Sequence, residues 1–247
     1  MSNNVSDFIS KLEKLNNEKV DVFIPSRNKT VKVKPLNIKQ QKDLIASALD
    51  GIKGALNYNK TINQIILDNS GLSDLKIYDK LPFCISLRTQ ALGSKIRSSE
   101  DNIVDLEDTL KNIKNTPFKL TDKSTIKYEN LKVSLKVPTL QEEISLISKC
   151  EDLFSDGSDV TKEAVGILYL FEIAKYITEV AIDDEIIDMS EIKIQEKIDL
   201  IENLPLSIYT ELTKFAESLT SYDEQIITIN DQQVSIDSSF FDSTISR

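Results

Sequence analysis

The chain has 247 residues, with 30 Lys and Arg against 40 Asp and Glu, a net charge of −10 and no histidine. That acidity argues against nucleic-acid binding through bulk electrostatics, and the missing imidazole removes Ser-His-Asp and Cys-His catalysis and every histidine-dependent metal site. Only six glycines are present, and neither GxGxxG nor GxxxxGK[ST] occurs, so no phosphate-cradling loop is encoded.

Residues 6–16 read as a short amphipathic helix, with Ser6 or Asp7 as cap and Phe8, Leu12 and Leu15 along one face. VDVFIP and VKVKP alternate apolar with polar residues around a polar Ser-Arg-Asn-Lys turn, which predicts a β-hairpin. Pro25 and Pro35 each close a strand, because proline cannot donate to the ladder. Residues 38–49 are expected to be helical, with Ile38, Leu44, Ile45, Ala48 and Leu49 facing inward and Asp50-Gly51 ending the element. Helices are also expected at 61–67 and 81–97, the latter with Pro82 in its first turn.

Residues 98–130 are charged and punctuated, and read as a linker or a small, loose β insertion. Residues 126–137 alternate as a strand or hairpin that stops at Pro138. Thr139 and Glu142 have the spacing of a capping box for a helix over 140–150. Residues 161–182 are expected to form one long helix with Glu172, Lys175 and Glu179 on its polar stripe, which makes it an amphipathic core helix and not a membrane span. Residues 186–190 read as a turn or short extended piece. Helices follow at 191–204 and 205–222, and alternation over 225–236 suggests a terminal hairpin. The two cysteines, Cys84 and Cys150, fit reduced, partly buried thiols better than a disulfide or a zinc site, and the first residues lack the pattern of a secretory signal.

One acidic cluster, Asp183-Asp184-Glu185 with Asp188, could in principle hold a divalent ion or act as acid and base. It follows an expected helix end and has no glycine-bearing frame, so a solvated turn is the simpler reading. Arg88 lies among apolar neighbours in LPFCISLRTQALG and is expected to meet a carboxylate or carbonyl partner. Lys32 and Lys34 fit a solvated strand face. No nucleophile–base pair is found, so no catalytic residue and no cofactor is assigned.

Several blocks, in order, resemble the T4-type bacteriophage baseplate hub proteins. VFIPSRNKTVKVKPLNIKQQKDLIASALD is similar to the opening of that family, where a strand ending in Pro-Ser turns into a second strand that leads through a basic residue, Pro and Leu into a helix. LPFCISLRTQALGSKI, LKVSLKVPTLQE and IDLIENLPLSIYTELTKFAESL resemble its later blocks, and Phe240-Phe241 its terminal aromatic pair. Pro25, Pro35, Leu36, Leu87 and Arg88 are the motif residues of this likeness. The chain lacks the CxxC pairs of many relatives, has Gln40 and Gln41 where acidic residues are usual, and begins with an extension.

The fold expected is α+β and predominantly α-helical. It comprises an extension helix (1–19), a hairpin-plus-helix lobe (20–97), a linker and β segment (98–138), a helical lobe (139–222) and a hairpin and tail (223–247). The resemblance implies a non-enzymatic tail protein, either a baseplate hub subunit or a hub assembly factor, with an assembly chaperone absent from the mature virion as the alternative. Its partners would be other baseplate proteins, with no nucleic acid and no membrane insertion. It would work in the host cytoplasm during assembly or in the virion tail. Candidate partner-binding residues are Phe8, Leu12, Leu15, Phe240 and Phe241, large apolar groups on segments with little core of their own; the alternative is that these segments fold back and cap the protein's own lobes.

Overall fold

In the computed structural model, the residues described are 7, 19–49, 52–99, 102–115, 121–151, 162–227, 236 and 238–241. The extension carrying Phe8, Leu12 and Leu15 lies outside them, as do residues 228–235 of the expected terminal hairpin. The architecture is α+β and mainly helical, with antiparallel sheets.

Alternation produces the first hairpin: β1 (Val20–Ile24) pairs with β2 (Lys29–Val33) from Val20↔Val33 to Ile24↔Lys29. Val22, Ile24 and Val33 face the core, while Lys32 pairs with Asp21 in solvent at 3.0 Å. The turn is one 3-10 turn, Pro25–Arg27, followed by Asn28 in the left-handed region at φ 47°, which asparagine tolerates.

Helix α1 (Ile38–Ser47) starts in a capping box. Asn37 Oδ1 accepts from the Gln40 amide at 2.9 Å, and Gln40 Oε1 accepts from the Asn37 amide at 3.1 Å. Its inner face is narrower than expected: Leu44 is buried, but Ile38 and Leu49 are 74% and 78% exposed. Ile38 sits in the outward first turn, and the helix ends before Leu49. Helix α2 (Ile52–Ser70) is far longer than the expected 61–67, and Gly71 closes it at φ 68°. After a 3-10 turn at Ile77–Asp79 comes α3 (Lys80–Leu92), in which every residue from Leu81 to Arg88 is buried. It is enclosed on all sides, against β1, α2 and later elements.

Three expectations are corrected here. Helix α3 stops at Leu92, and Lys95–Ser99 is strand β3, paired with β4 (Asn102–Asp105). The stretch expected as a linker or small β insertion has strand β4 and also a helix, α4 (Leu106–Asn115), which buries Leu106, Thr109 and Ile113 and places Glu107 and Asp108 in its first turn and Lys114 in its last, as the helix dipole favours. The helix expected over 161–182 is two elements: α6 (Lys162–Ala174) and a strand, β7 (Ile177–Ile182). Ile-Thr-Glu-Val-Ala-Ile suits either period, and pairing on both sides decides for the strand. The resulting antiparallel sheet has the order β5 (Lys123–Tyr128), β6 (Leu131–Lys136), β7, β8 (Glu185–Asp188).

Helix α5 (Leu140–Glu151) begins at the predicted capping box. Thr139 Oγ1 accepts from the Glu142 amide at 3.2 Å, and Glu142 Oε2 accepts from the Thr139 amide at 2.8 Å. Helices α7 (Ile194–Glu202) and α8 (Leu206–Ile227) meet at Pro205, and α8 continues through residues 225–227, where a strand was expected.

Two main apolar clusters result. The first joins β1, β2, α1 to α4, the start of α5 and the last 3-10 turn, Ser238–Phe241. The second lies between the β6–β7 face and α6 to α8. Helix α5 serves both halves: Leu140 and Ile144 enter the first cluster, while Leu146, Ile147 and Cys150 form a third with Leu56 of α2, Phe171 of α6 and Ile194 and Ile198 of α7. No helix among the described residues is long and apolar enough to cross a membrane. Leu87 is fully buried on α3. Leu87→Ala is therefore expected to cost about 2–5 kcal/mol in denaturant unfolding, with its cavity deciding where in that range it falls.

Candidate functional site

The Pro25-Ser26 turn is fastened to the entry of α3. The Ser26 amide donates to Asp79 Oδ1 at 2.9 Å, the Ser26 hydroxyl to Oδ2 at 2.6 Å, and the Lys76 amide to Oδ2 at 2.8 Å. Arg27 pairs with Asp74 beside it. Burial raises the pKa of Asp79 above the usual carboxylate range, and its donors offset this only in part. Pro35 and Leu36 lie on the opposite flank. The Pro35 carbonyl accepts from Asn69 at 3.4 Å, and Leu36 packs on the first cluster.

Arg88 is fully buried. Its Nη1 donates to the Gly93 carbonyl at 2.7 Å, capping its own helix, and its Nε donates to the Phe240 carbonyl at 2.9 Å. The guanidinium also lies 5.4 Å from the centroid of the Phe240 ring. Burial lowers its pKa. The expected partner is thus found as carbonyl oxygens. The Phe241 carbonyl accepts from Gln41 Nε2 at 2.7 Å, and the two phenyl rings meet edge to face at 5.2 Å. Phe240 and Phe241 are 1% and 0% exposed. Their expected role as an outward docking surface is corrected: they plug the first core, because Arg88 and Gln41 hold their backbone and α1 and α3 bury their rings.

A second polar centre was not anticipated. Glu143, on the inner stripe of α5, is almost completely buried. Its Oε2 accepts from Asn63 of α2 at 2.7 Å and from Lys80 of α3 at 3.0 Å; its Oε1 accepts from Lys175 at 3.3 Å. Lys175 also pairs with Glu172 and lies 5.4 Å from the Tyr176 ring centroid. Burial alone would raise the pKa of Glu143, but the two ammonium groups and the amide outweigh it and hold the carboxyl at about 2. Burial likewise pushes Lys175 down, and Glu143 and Glu172 more than offset it. A carboxylate so fixed is a permanent anion and not a proton carrier near neutral pH. The one sequence signal was its place on the stripe of Leu140, Ile144 and Ile147.

Three of the blocks quoted from the sequence therefore converge: the Pro-Ser turn, the Leu-Arg helix and the terminal aromatic pair meet in one core. The family model described as T4 bacteriophage base plate protein matches residues 16–233. The chain belongs to the T4 bacteriophage base plate protein family. No curated protein and no solved structure gives a match. In this baseplate protein the aromatic plug at Phe240-Phe241 lies just past the matched span.

The 183–188 carboxylates sit at a hairpin tip, not at a helix end. Asp183, at φ 52°, turns β7 into β8, and its Oδ1 accepts from Asn130 Nδ2 at the neighbouring β5–β6 tip at 3.0 Å. Among the described residues no three His, Cys, Asp or Glu side chains form a group that could hold a metal ion. Both cysteines are buried thiols outside any disulfide, and burial pushes the Cys150 thiol up to about 11.

Two outcomes follow from this geometry. Phe240→Ala is expected to lose about 3–5 kcal/mol of stability, read by denaturant unfolding, and not merely a binding surface. Glu143→Gln leaves buried Lys175 short of its counter-charge and is expected to cost about 3–5 kcal/mol at neutral pH. The stability tied to the low pKa of Glu143 is present above its ordinary value of 4.5 and is lost as pH falls toward 2. The wild-type and Glu143→Gln unfolding curves should accordingly converge over that window. The raised Asp79 has the opposite sign but is common to both proteins, so it cancels in the difference.

Proposed function

We propose that this baseplate protein is a non-enzymatic component of the baseplate hub, either as a subunit or as a factor that assembles it, and that it acts through protein–protein contacts. The observation that carries the reading is the family match over residues 16–233, together with the ordered likeness to hub proteins. The buried charged groups support it. Asp79, Arg88 and Glu143 are each occupied in joining elements of the fold. Fold alone does not locate the contact surfaces.

Mass spectrometry of purified virions, with a copy count per particle, tests the role. A fixed stoichiometry in the tail marks a subunit. Presence in infected-cell hub complexes but not in virions marks an assembly factor. Failure to co-purify with any hub protein would overturn the reading. Asp183→Asn combined with Asp184→Asn and Asp188→Asn is expected to leave baseplate assembly and infectivity intact. Particles that assemble normally yet lose infectivity in this variant would point to chemistry at the hairpin tip.

A further inference from the structure

The layer between the sheet and helices α7 and α8 stops short of the last row of the sheet. In that row Leu131, Ile182 and Glu185 lie side by side on β6, β7 and β8, and two rows further along, on the same face, Val180 pairs with Ile187. Val180 is buried, but Ile182 is 51% exposed and Ile187 is 42% exposed. The α7–α8 turn, with Leu204 and Pro205, forms the opposite wall, and the space between is a groove of about 600 Å³. Such a volume takes a few side chains, not a folded domain.

The charge around this groove has one sign. Its charged lining residues are Glu129, Glu185 and Asp199, with no lysine or arginine, and none of the three is ion-paired among the described residues. Asp183 and Asp184 stand next to it on the hairpin tip. Among the described residues, strand β8 is the end of the sheet order and has a strand partner on one side only, with all four of its residues exposed. An open edge beside an apolar trough suits an extended chain, which can pair along the edge and drop alternate side chains into the trough. Two such grooves facing each other in a pair of copies would bring carboxylates against carboxylates.

We propose that this groove docks an extended segment of another baseplate protein in which apolar side chains alternate with lysine or arginine. The apolar side chains would lie on Ile182, Ile187, Leu204 and Pro205. The basic ones would meet Glu129, Glu185 and Asp199. The identity of the partner as a baseplate protein rests on the function proposed above; the chemistry of the segment does not.

The test uses the full chain and three labelled peptides of equal length, alternating Lys/Leu, Glu/Leu and Lys/Ser, followed by fluorescence anisotropy. The Lys/Leu peptide should bind, and the other two should bind at least about tenfold more weakly. Ile182→Ser with Ile187→Ser should reduce Lys/Leu binding by a similar factor. Glu129→Gln with Glu185→Gln and Asp199→Asn should weaken it and flatten its salt dependence. The three carboxylates are exposed, so this second variant keeps the test valid if the isoleucine variant does not fold. Equal binding of Lys/Leu and Glu/Leu peptides, or Lys/Leu binding unchanged in a folded carboxylate variant, would overturn the proposal. So would a dimer of the full chain that dissolves in the isoleucine variant, because the occupant would then be a second copy. In infected cells, wild-type chain that captures no baseplate protein defeats the baseplate reading. Unchanged capture by the carboxylate variant defeats the groove alone.

Discussion

The fold is organised around a buried anion. Apolar packing between helices is non-directional, and several ways of stacking α2, α3, α5 and α6 would bury similar area. A carboxylate enclosed with Glu143's completeness admits fewer. Its oxygens must be met, and the donors come from three separate places: Asn63 on α2, Lys80 at the start of α3 and Lys175 between α6 and β7. Lys175 reaches it because the chain leaves helical geometry at Ala174 and enters the sheet at Ile177. The switch from helix to strand and the placing of the ammonium group are one structural event. Through it the sheet half of the molecule is registered against the hairpin half, with α5 as the common member.

Asp79 and Arg88 do related work within the first core. Asp79 anchors the hairpin turn to the entry of α3, and Arg88 anchors the exit of α3 to the terminal aromatic pair. Both residues are thus joints of the fold. They hold the hairpin, α3 and the terminal aromatic pair together, and on the outward faces the open row of the sheet carries an acidic rim.

Much of this was legible in the amino-acid sequence, and the failures have physical causes. Alternation fixed the β1–β2 hairpin, Thr139 and Glu142 marked the start of α5, and the apolar run from Leu81 marked a central helix. Strand β7 was missed because Ile177–Ile182 carries apolar residues compatible with both periods; only its neighbours β6 and β8 decide, and they are remote in sequence or as short as four residues. Helix α4 was hidden by charge, although Leu106, Thr109 and Ile113 already had helical spacing. For Phe240-Phe241, an exposed patch and a core plug look alike in sequence, since the choice depends on Arg88, which is 152 positions away. The groove had no local signature, because it arises from where two helices end relative to a sheet.

The aromatic plug has a consequence for the order in which the protein is made. Residues near the N-terminus leave the ribosome first and commonly begin to fold there. Here the first core, built on β1, β2 and α1 to α3, is closed by residues that trail Gln41 by 200 positions. Until they emerge, Arg88 lacks the Phe240 carbonyl and ring, and the faces of α1 and α3 that those phenyl groups cover stay open to other chains. The early half of the molecule is therefore synthesised with an unfilled socket, which is completed only once Phe240 and Phe241 have emerged.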